Sequence, residues 1–265
     1  GSDGLMFQQL ADGVFRRRYE SLDLNVGVVL GEQGILVIDT RASHVEADEL
    51  REELRILSTL PVRWVVDTHW HWDHTFGNAR FPEAEIWGHE LCRKTMVELG
   101  DSMKEDAAAW LPDRLEEIVE VVITPPTSVF ESAAGIDLGR VVVEMTHHGR
   151  GHTDSDIVVT VGEVSFMGDL LEEGAPPVFD DGFPMSWPVT LESAAEIGSS
   201  IIVPGHGDTL DRAGAAAQLE EIRAVADLAH RCLEEGFPVT EAAGLGPYPP
   251  DVMASALERA LAVGH

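Results

Sequence analysis

The sequence predicts an α/β fold in which helices pack against β-sheet. Short apolar runs, typical of buried strands, alternate along the chain with segments whose apolar residues recur at helical spacing. A length of 265 residues is sufficient to bury a sizeable core. No repeat and no linker divides the chain into autonomous halves. We therefore predict a single domain over residues 1–265, with a candidate cap or flap at 101–135 and C-terminal helices over 211–265.

Strands are predicted where a short apolar run lies between turn residues or charged residues. In chain order these runs are residues 25–30, 35–38, 62–66, 141–145, 157–160, 164–167 and 200–203. A further strand begins at Glu85 and leads into a helix that ends near Leu99. The runs on either side of Val161-Gly162-Glu163 are expected to pair as a hairpin.

The helices are predicted from apolar residues that recur on one face. Ser43 and Glu46 have the spacing of a capping box, which starts a helix that Pro61 stops. Helical character also extends over residues 104–121, where Pro112 interrupts it. The remaining helices are predicted at residues 190–197, 219–233 and 252–261.

The charge composition indicates an acidic globular protein. The chain has 18 Lys and Arg against 47 Asp and Glu, so its formal net charge is −29. This charge repels phosphate backbones and anionic lipid surfaces, so we expect no nucleic-acid partner and no membrane partner. No apolar run has the length of a membrane span, and no signal peptide is visible. The expected location is cytoplasmic, with a removed leader before Gly1-Ser2 left open.

The two cysteines, Cys92 and Cys232, lie far apart and form no Cys-x-x-Cys motif. This spacing argues against a disulfide framework and against a structural zinc knuckle. Both cysteines lie in apolar helical contexts, so we expect buried thiols in the core.

Three of the eleven histidines fall within six residues, directly after a buried strand, in His69-Trp70-His71-Trp72-Asp73-His74. Imidazole and carboxylate together suit zinc, iron or manganese. In an extended loop, His69 and His71 point to the same side and can share one metal. A turn can aim Asp73 and His74 at a second metal. A structural zinc would draw on cysteine, so its absence here favours an open catalytic site.

Three further candidates lie at or just beyond the ends of predicted strands, where loops on a sheet converge. They are His152 in Gly-His-Thr, Asp169 in Gly-Asp, and His206 in Pro-Gly-His-Gly. We expect His147 and His148 to belong to the loop before His152 or to support the ligands. The other histidines are expected to be ordinary surface or helix residues: His44, His89, His230 and His265. Trp70 and Trp72 either pack the loop or line a pocket.

The order of these motifs resembles that of the metallo-β-lactamase superfamily, over about residues 20–210. The resemblance implies a four-layer αββα sandwich with metals at one edge. The ligand set that it implies is His69, His71 and His152 for one ion, Asp73, His74 and His206 for the other, and Asp169 between them. Asp39 matches the family's buried aspartate, which orients a ligand or the motif loop.

The resemblance also implies a hydrolase with two divalent metal ions, with zinc favoured over iron or manganese. A hydroxide bridging the metals would attack an ester, thioester, lactone or amide of a small-molecule substrate, with Asp73 fixing its direction. No Gly-x-Ser-x-Gly elbow offers a competing nucleophile. Asp169 resembles the glyoxalase II and lactonase branches, whereas the β-lactamases of this fold lack that aspartate. The sequence identifies neither the substrate nor the oligomeric state.

Three other interpretations remain open at the level of sequence. The first is an iron-dependent oxidoreductase of the same fold, similar to sulfur dioxygenases; the flavodiiron pattern fits less well because it has glutamate at the position of His71. The second is a nuclease, which the net charge disfavours. The third is a binding module without metal, which the full ligand set disfavours.

Overall fold

The computed structural model describes residues 6–265, within which two β-sheets pack face to face. The first sheet has its strands in chain order, antiparallel from β1 to β4 and parallel from β4 to β7. Its strands are β1 Gln8–Ala11, β2 Val14–Arg18, β3 Asn25–Leu30, β4 Ile35–Ile38, β5 Val62–Val66, β6 Glu85–His89 and β7 Ser128–Phe130.

The second sheet has the strand order β12-β11-β10-β9-β8. Its strands are β8 Ala133–Asp137, β9 Val142–Thr146, β10 Val158–Val161, β11 Val164–Phe166 and β12 Ile201–Val203. The β11–β12 pair is parallel and the other pairs are antiparallel. The predicted hairpin is confirmed, because Val161 pairs with Val164 across the turn.

Helices cover the outer face of each sheet. They are α1 His44–Leu57, α2 Trp72–Thr75, α3 Glu90–Leu99, α4 Met103–Trp110, α5 Leu115–Val119, α6 Trp187–Ala195, α7 Arg212–Glu235, α8 Val239–Ala242 and α9 Pro250–Val263. The predicted break at Pro112 is confirmed, since a short 3₁₀ turn there separates α4 from α5. As expected, the side chain of Ser43 caps α1 by accepting a hydrogen bond from the amide of Glu46.

Three hydrophobic clusters define four layers. Apolar residues of α1, including Leu50, pack with β3 to β5 on one side of the first sheet. Residues from both sheets, including Leu36 and Val159, fill the space between the sheets. Apolar residues of α6, α7 and α9, including Val225, pack outside the second sheet. Burial of these faces drives the assembly, and the predicted αββα sandwich is confirmed.

Four strands escaped the sequence prediction, namely β1, β2, β7 and β8. β2 has the sequence Val-Phe-Arg-Arg-Arg, so it lacks an apolar run. Arg16 is nevertheless 6% exposed, because its guanidinium pairs with Asp208 at 2.7 Å and with the side-chain oxygen of Asn25 at 3.3 Å. A buried arginine of this kind requires partners that are remote in sequence, and a local pattern does not show them.

The segment at residues 101–135 has two parts. Helices α4 and α5 pack with Trp72 and Phe76 of the histidine motif, through apolar residues that include Met103 and Ile118. The later residues form β7 and the start of β8, which belong to the two sheets. Cys92 and Cys232 are both buried, as predicted. None of the helices within residues 6–265 has the length and hydropathy of a membrane span.

We expect Trp187→Ala to cause the largest loss of stability among single truncations in the outer helical layer. Trp187 is fully buried, its ring lies 5.1 Å from that of Phe179, and its Nε1 donates to the carbonyl of Leu170 at 3.1 Å. Loss of this side chain should lower the free energy of unfolding by about 3–5 kcal/mol in urea. The control Trp110→Ala, at a side chain that is 58% exposed, should change it by only about 0.5 kcal/mol. Equal losses in the two variants would contradict this assignment.

Candidate metal centre

The seven predicted ligands converge on one edge of the sandwich, from loops that follow different strands. The segment after β5 supplies His69 and His71, and α2 supplies Asp73 and His74. The other three ligands follow β9, β11 and β12 in chain order, and they are His152, Asp169 and His206. Six of the seven are buried and His206 is half-buried. The structure therefore brings together every predicted ligand.

The ligand atoms form two groups, and within each group they all lie within 4.8 Å of one another. The first group consists of His69, His71, His152 and Asp169, and the second group consists of Asp73, His74, His206 and Asp169. Asp169 is common to both groups. Its Oδ1 lies 3.1 Å from Nε2 of His74, and its Oδ2 lies 3.3 Å from Nε2 of both His152 and His206. The carboxylate thus lies between the two groups.

The spacing of these atoms fits coordination of a metal. Two ligands on a tetrahedral zinc ion with bonds near 2.0–2.1 Å are separated by about 3.3 Å. In the second group, Oδ2 of Asp73 lies 3.1 Å from Nε2 of His206 and 3.3 Å from Nε2 of His74. In addition, Nε2 of His69, Nε2 of His74 and Oδ1 of Asp169 are buried and have no hydrogen-bond partner. Buried atoms of this kind are costly unless a cation binds them.

In each ligand histidine, the ring nitrogen that points away from the centre, which we call the outer nitrogen, hydrogen-bonds to the protein. The outer nitrogens of His152 and His206 hydrogen-bond to backbone carbonyls, at 2.9 Å from Val178 and 2.7 Å from Leu22. His74 and His71 hold theirs against carboxylates, at 2.7 Å from Asp39 and 2.9 Å from Asp181, and His69 contacts the hydroxyl of Thr68 at 3.0 Å. An outer nitrogen that faces an acceptor carries the proton, which leaves the inner nitrogen free to bind a metal.

The pair formed by His71 and His152 illustrates this consequence. Nδ1 of His71 lies 2.8 Å from Nε2 of His152. The outer nitrogens of both rings face acceptors, so the two inner nitrogens hydrogen-bond only when one of the rings carries a second proton. Burial lowers the pKa of His71, but its hydrogen bond with Asp181 raises it overall, so His71 can supply that proton to Nε2 of His152. A metal ion bound by both nitrogens would replace this proton.

Mutual charges keep the carboxylates of the site ionised despite their burial. Burial alone would raise the pKa of Asp169, but the charges of His74 and His206 hold it well below its usual value. The same balance holds the pKa of Asp73 well below its usual value. Burial would lower the pKa of His74, but the charges of Asp169 and Asp73 raise it well above its ordinary value. The centre therefore presents anionic oxygen ligands to a cation.

Asp39 hydrogen-bonds both to Thr68, which directly precedes the motif, and to the ligand His74. It follows β4 with φ at +66°, a left-handed conformation that Asp and Asn tolerate better than most residues. Its Oδ1 accepts the backbone N–H of Thr68 at 2.8 Å, and its Oδ2 accepts the hydroxyl of Thr68 at 2.8 Å and Nδ1–H of His74 at 2.7 Å. These contacts are those expected of a residue that orients both the loop and a ligand.

We expect Asp39→Asn to weaken metal binding about 10–100-fold while leaving the fold intact, because an amide replaces one of the carboxylate's two acceptor oxygens with an NH₂ donor. Asparagine tolerates the left-handed backbone, so the change is confined to the side chain. The measurement is metal affinity by competition with a chromophoric chelator. The matched control is Asp113→Asn at an exposed position, which should bind metal like the wild type. Equal affinities for the two variants would remove Asp39 from this role.

A cavity of about 560 Å³ opens onto the centre. Ligands from both groups lie on its wall, among them His71, Asp73 and Asp169. The rest of the wall comes from α4, from α9 and from residues 172–181, which we name the pocket loop. Both the size and the position of the cavity suit a small molecule that reaches the ligands.

The chain can now be compared with known proteins. A family model described as the metallo-beta-lactamase superfamily matches residues 22–206. The chain belongs to the metallo-β-lactamase superfamily. A curated relative in this superfamily, metallo-beta-lactamase type 2 of Bacillus cereus, is 23% identical over 194 residues, which cover 70% of this chain and 68% of the relative.

The solved structure of a metallo-beta-lactamase from Pontibacter korlensis resembles this superfamily member with a TM-score of 0.65. The alignment covers 82% of this chain and 98% of that chain, at 19% identity. This likeness shows that the metallo-β-lactamase fold extends over most of the described residues.

The sequence did not predict two carboxyl groups near the metal centre of this superfamily member, those of Asp181 and Glu172. Asp181 lies in the pocket loop, which is rich in proline and acidic residues and has no periodicity that singles out Asp181. Glu172 is 7% exposed, and burial followed by the charge of Asp169 raises its pKa to about 8. Neither residue belongs to a motif, so only the folded chain reveals its position.

The histidines outside the ligand set differ in their surroundings. His147 and His148 lie in the loop before His152, as expected, and hydrogen-bond to the carbonyl of Asp156 and to the side chain of Ser193, each at 2.8 Å. The expectation that His89 is an ordinary surface or helix residue is wrong. It is 2% exposed, ends β6, and holds the carbonyl of Glu131 at 2.8 Å, because its ring completes the interior between β6 and β7.

The two tryptophans of the motif have different roles. Trp72 is buried, packs near Phe76 with 6.4 Å between ring centroids, and also contributes to the cavity wall. Trp70 stands edge-on to the ring of His71, with centroids 4.4 Å apart. The motif is therefore held by aromatic packing on both sides of His71.

Proposed function

We propose that this protein is a dinuclear zinc hydrolase that cleaves an ester, thioester, lactone or amide bond of a small molecule. The observation that carries the proposal is the position of Asp169 between two groups of inward-facing ligand atoms. A single ion would leave one group of buried nitrogens and oxygens without a partner. His69, His71 and His152 would hold one ion, Asp73, His74 and His206 would hold the other, and Asp169 would contact both.

Two divalent ions supply Lewis acidity and lower the pKa of water, which makes a nucleophile available at neutral pH. The chain's own residues determine where that chemistry occurs. Asp73 lines the cavity and remains anionic, so its carboxylate can accept a hydrogen bond from a water and orient that water beside the substrate carbonyl. The apolar part of the wall, which includes Phe179 and Val178, excludes bulk water from the reacting atoms.

We propose that the protein belongs to the glyoxalase II-like or lactonase branch of the superfamily. Asp169, the aspartate common to both ligand groups, supports this assignment. β-Lactam hydrolysis is disfavoured by the same residue, although a relative at 23% identity bears the name of a metallo-beta-lactamase. The proposed partner is a small-molecule substrate, and the proposed location is the cytoplasm. None of these assignments requires a nucleophilic serine or cysteine.

The test combines metal analysis with a panel of substrates. Purified protein should contain about two zinc ions per chain and should hydrolyse at least one of four classes: thioesters, lactones, aryl esters or β-lactams. Chelation should abolish this activity, and added zinc should restore it. His71→Ala and Asp73→Ala should lose turnover, whereas the exposed control Asp113→Ala should retain it.

The outcome of this test separates hydrolysis from oxygen chemistry. One iron ion per chain, with oxygen uptake on a persulfide substrate and no hydrolysis, would replace the hydrolase proposal with a sulfur dioxygenase-like oxidoreductase. Retention of turnover by Asp73→Ala with full metal content would also overturn the proposed role of that residue.

A further inference from the structure

The wall of the cavity carries a marked excess of negative charge beyond the metal ligands. Among the carboxylates that line the cavity besides the metal ligands, we name four the acidic rim: Asp106, Asp180, Asp181 and Asp251. Within the described residues, no lysine or arginine lines the cavity. The nearby Arg259 directs its Nε to the carbonyl of Gly182 at 2.9 Å and does not belong to the wall.

The carboxylates of the acidic rim are close enough to interact. On α9, Asp251 and Ser255 are four residues apart and therefore share a face, and the hydroxyl of Ser255 donates to Asp180 at 2.7 Å. On α4, partial burial and then the charge of Asp181 raise the pKa of Asp106. The rim is therefore built from three elements, α4, the pocket loop and α9, and the charges of α4 and the pocket loop act on each other.

Glu172 provides a second and independent indication. It is 7% exposed and lines the cavity, yet its carboxyl group makes no hydrogen bond or ion pair with any described residue. The side chain of Gln218 holds its backbone on both sides, accepting from its N–H at 2.9 Å and donating to its carbonyl. The backbone is thus fixed, and the carboxyl group lies on the cavity wall with no protein partner, where a ligand group can reach it.

Aromatic rings accompany the carboxylates. Trp110 lies four residues after Asp106 on α4, lines the cavity and is 58% exposed. Trp72 contributes a second indole to the same wall. Faces of tryptophan rings beside carboxylates attract ammonium groups, because the ring quadrupole and the negative charges act in the same direction.

We propose that the substrate of this cavity carries an ammonium group, which binds among Trp110, Asp106 and Asp251 while the scissile carbonyl reaches the metal centre. This inference rests on the proposed function, because it takes the cavity to be the substrate site. An anionic substrate would face the rim carboxylates without a lysine or arginine to neutralise it, so acyl compounds with free carboxylates or phosphates are disfavoured.

The test uses three thioesters with the same acyl group that differ only in the alkyl group on sulfur. These are a trimethylammonioethyl thioester, its uncharged 3,3-dimethylbutyl isostere, and a carboxyethyl thioester. The trimethylammonium and tert-butyl ends have nearly the same shape, so only charge distinguishes the first two. We expect kcat/KM of the zinc-loaded protein to fall at least about tenfold from the cationic to the neutral thioester and further to the anionic one. The preference should shrink as salt rises from 0.05 to 0.5 M, because salt screens charges at an exposed rim.

Variants assign the preference to the rim. In Asp106→Asn/Asp251→Asn, the ratio of kcat/KM for the cationic and neutral thioesters should fall toward one. Glu105→Gln/Glu258→Gln removes the same two charges from exposed positions of α4 and α9 outside the cavity, and should keep the wild-type ratio. An unchanged ratio in the double variant, or a wild-type preference for the anionic thioester, would overturn the inference.

A binding measurement separates this inference from the proposed function. Thioethers that correspond to the cationic and neutral thioesters cannot be hydrolysed, and calorimetry gives their affinities for the zinc-loaded protein. Tighter binding of the ammonium thioether by at least about tenfold, without hydrolysis of any thioester, would support the inference and count against the hydrolase. Hydrolysis together with equal affinities for the two thioethers would support the hydrolase and overturn the inference.

Discussion

Asp169→Ala should abolish binding of both metal ions, not one, and should reduce turnover by more than about 100-fold. Loss of an outer hydrogen-bond partner costs up to about that factor, and loss of a direct ligand costs more. Asp169 contributes oxygens to both groups of ligands. Its removal leaves only three neutral histidines in the first group and takes one of the two carboxylates from the second. The shared position makes the two ions interdependent.

Metal content per chain, measured after dialysis against a weak chelator, tests this expectation. His152→Ala is the matched comparison, because it removes a donor from the first group and leaves the second intact. This variant should retain about one ion per chain. If Asp169→Ala retains two ions, the carboxylate does not connect the groups, and the assignment of a dinuclear centre loses its main support.

Gly205→Ala should disable the centre without altering any ligand. A Cβ atom at Gly205, in the Pro-Gly-His-Gly motif after β12, would overlap Oδ1 of Asp169. The backbone cannot easily withdraw, because the N–H of Gly205 donates to the carbonyl of Gly168 at 2.7 Å and its carbonyl accepts from Asn25 at 2.9 Å. The Asp169 carboxylate must therefore move, and we expect loss of metal together with a stability cost of about 1–3 kcal/mol.

Gly135→Ala is the control for this substitution. Gly135 lies in β8, and an added Cβ there would meet Val142 Cγ1 at 3.6 Å, an ordinary contact. The control should keep both the metal and the turnover of the wild type. Full metal content in Gly205→Ala would show that the Asp169 carboxylate has space to rotate, which would remove the steric explanation for glycine at this motif position.

The sequence was most informative where the chemistry is local. Apolar runs identify the central strands because a strand buried on both faces needs an apolar side chain at every position, as in Ile35 to Ile38 of β4. The ligands could be predicted because each occurs after such a run, in a short motif with a fixed order. Asp39 could be recognised because it matches the family's buried aspartate, at the end of β4.

The remaining features depend on contacts between distant parts of the chain. The charge of the buried Arg16 in β2 is paired by Asp208, far along the chain. His89 is enclosed by the rings of Phe130 and His147, which are also distant in sequence, and no pattern around residue 89 contains that information. Asp181 lies in a loop without periodicity, so its contact with His71 was visible only after folding.

The pocket loop contacts two histidines of the same group while it forms a wall of the cavity. It supplies the carbonyl of Val178 to His152 and the carboxylate of Asp181 to His71. A molecule that binds this wall and a cation that binds those two rings therefore act on the same stretch of backbone. Thermodynamic linkage makes the effect reciprocal: whatever factor metal loading adds to the affinity for the molecule, the molecule adds to the affinity for the metal. Apparent substrate affinity in this protein should then vary with the concentration of free metal.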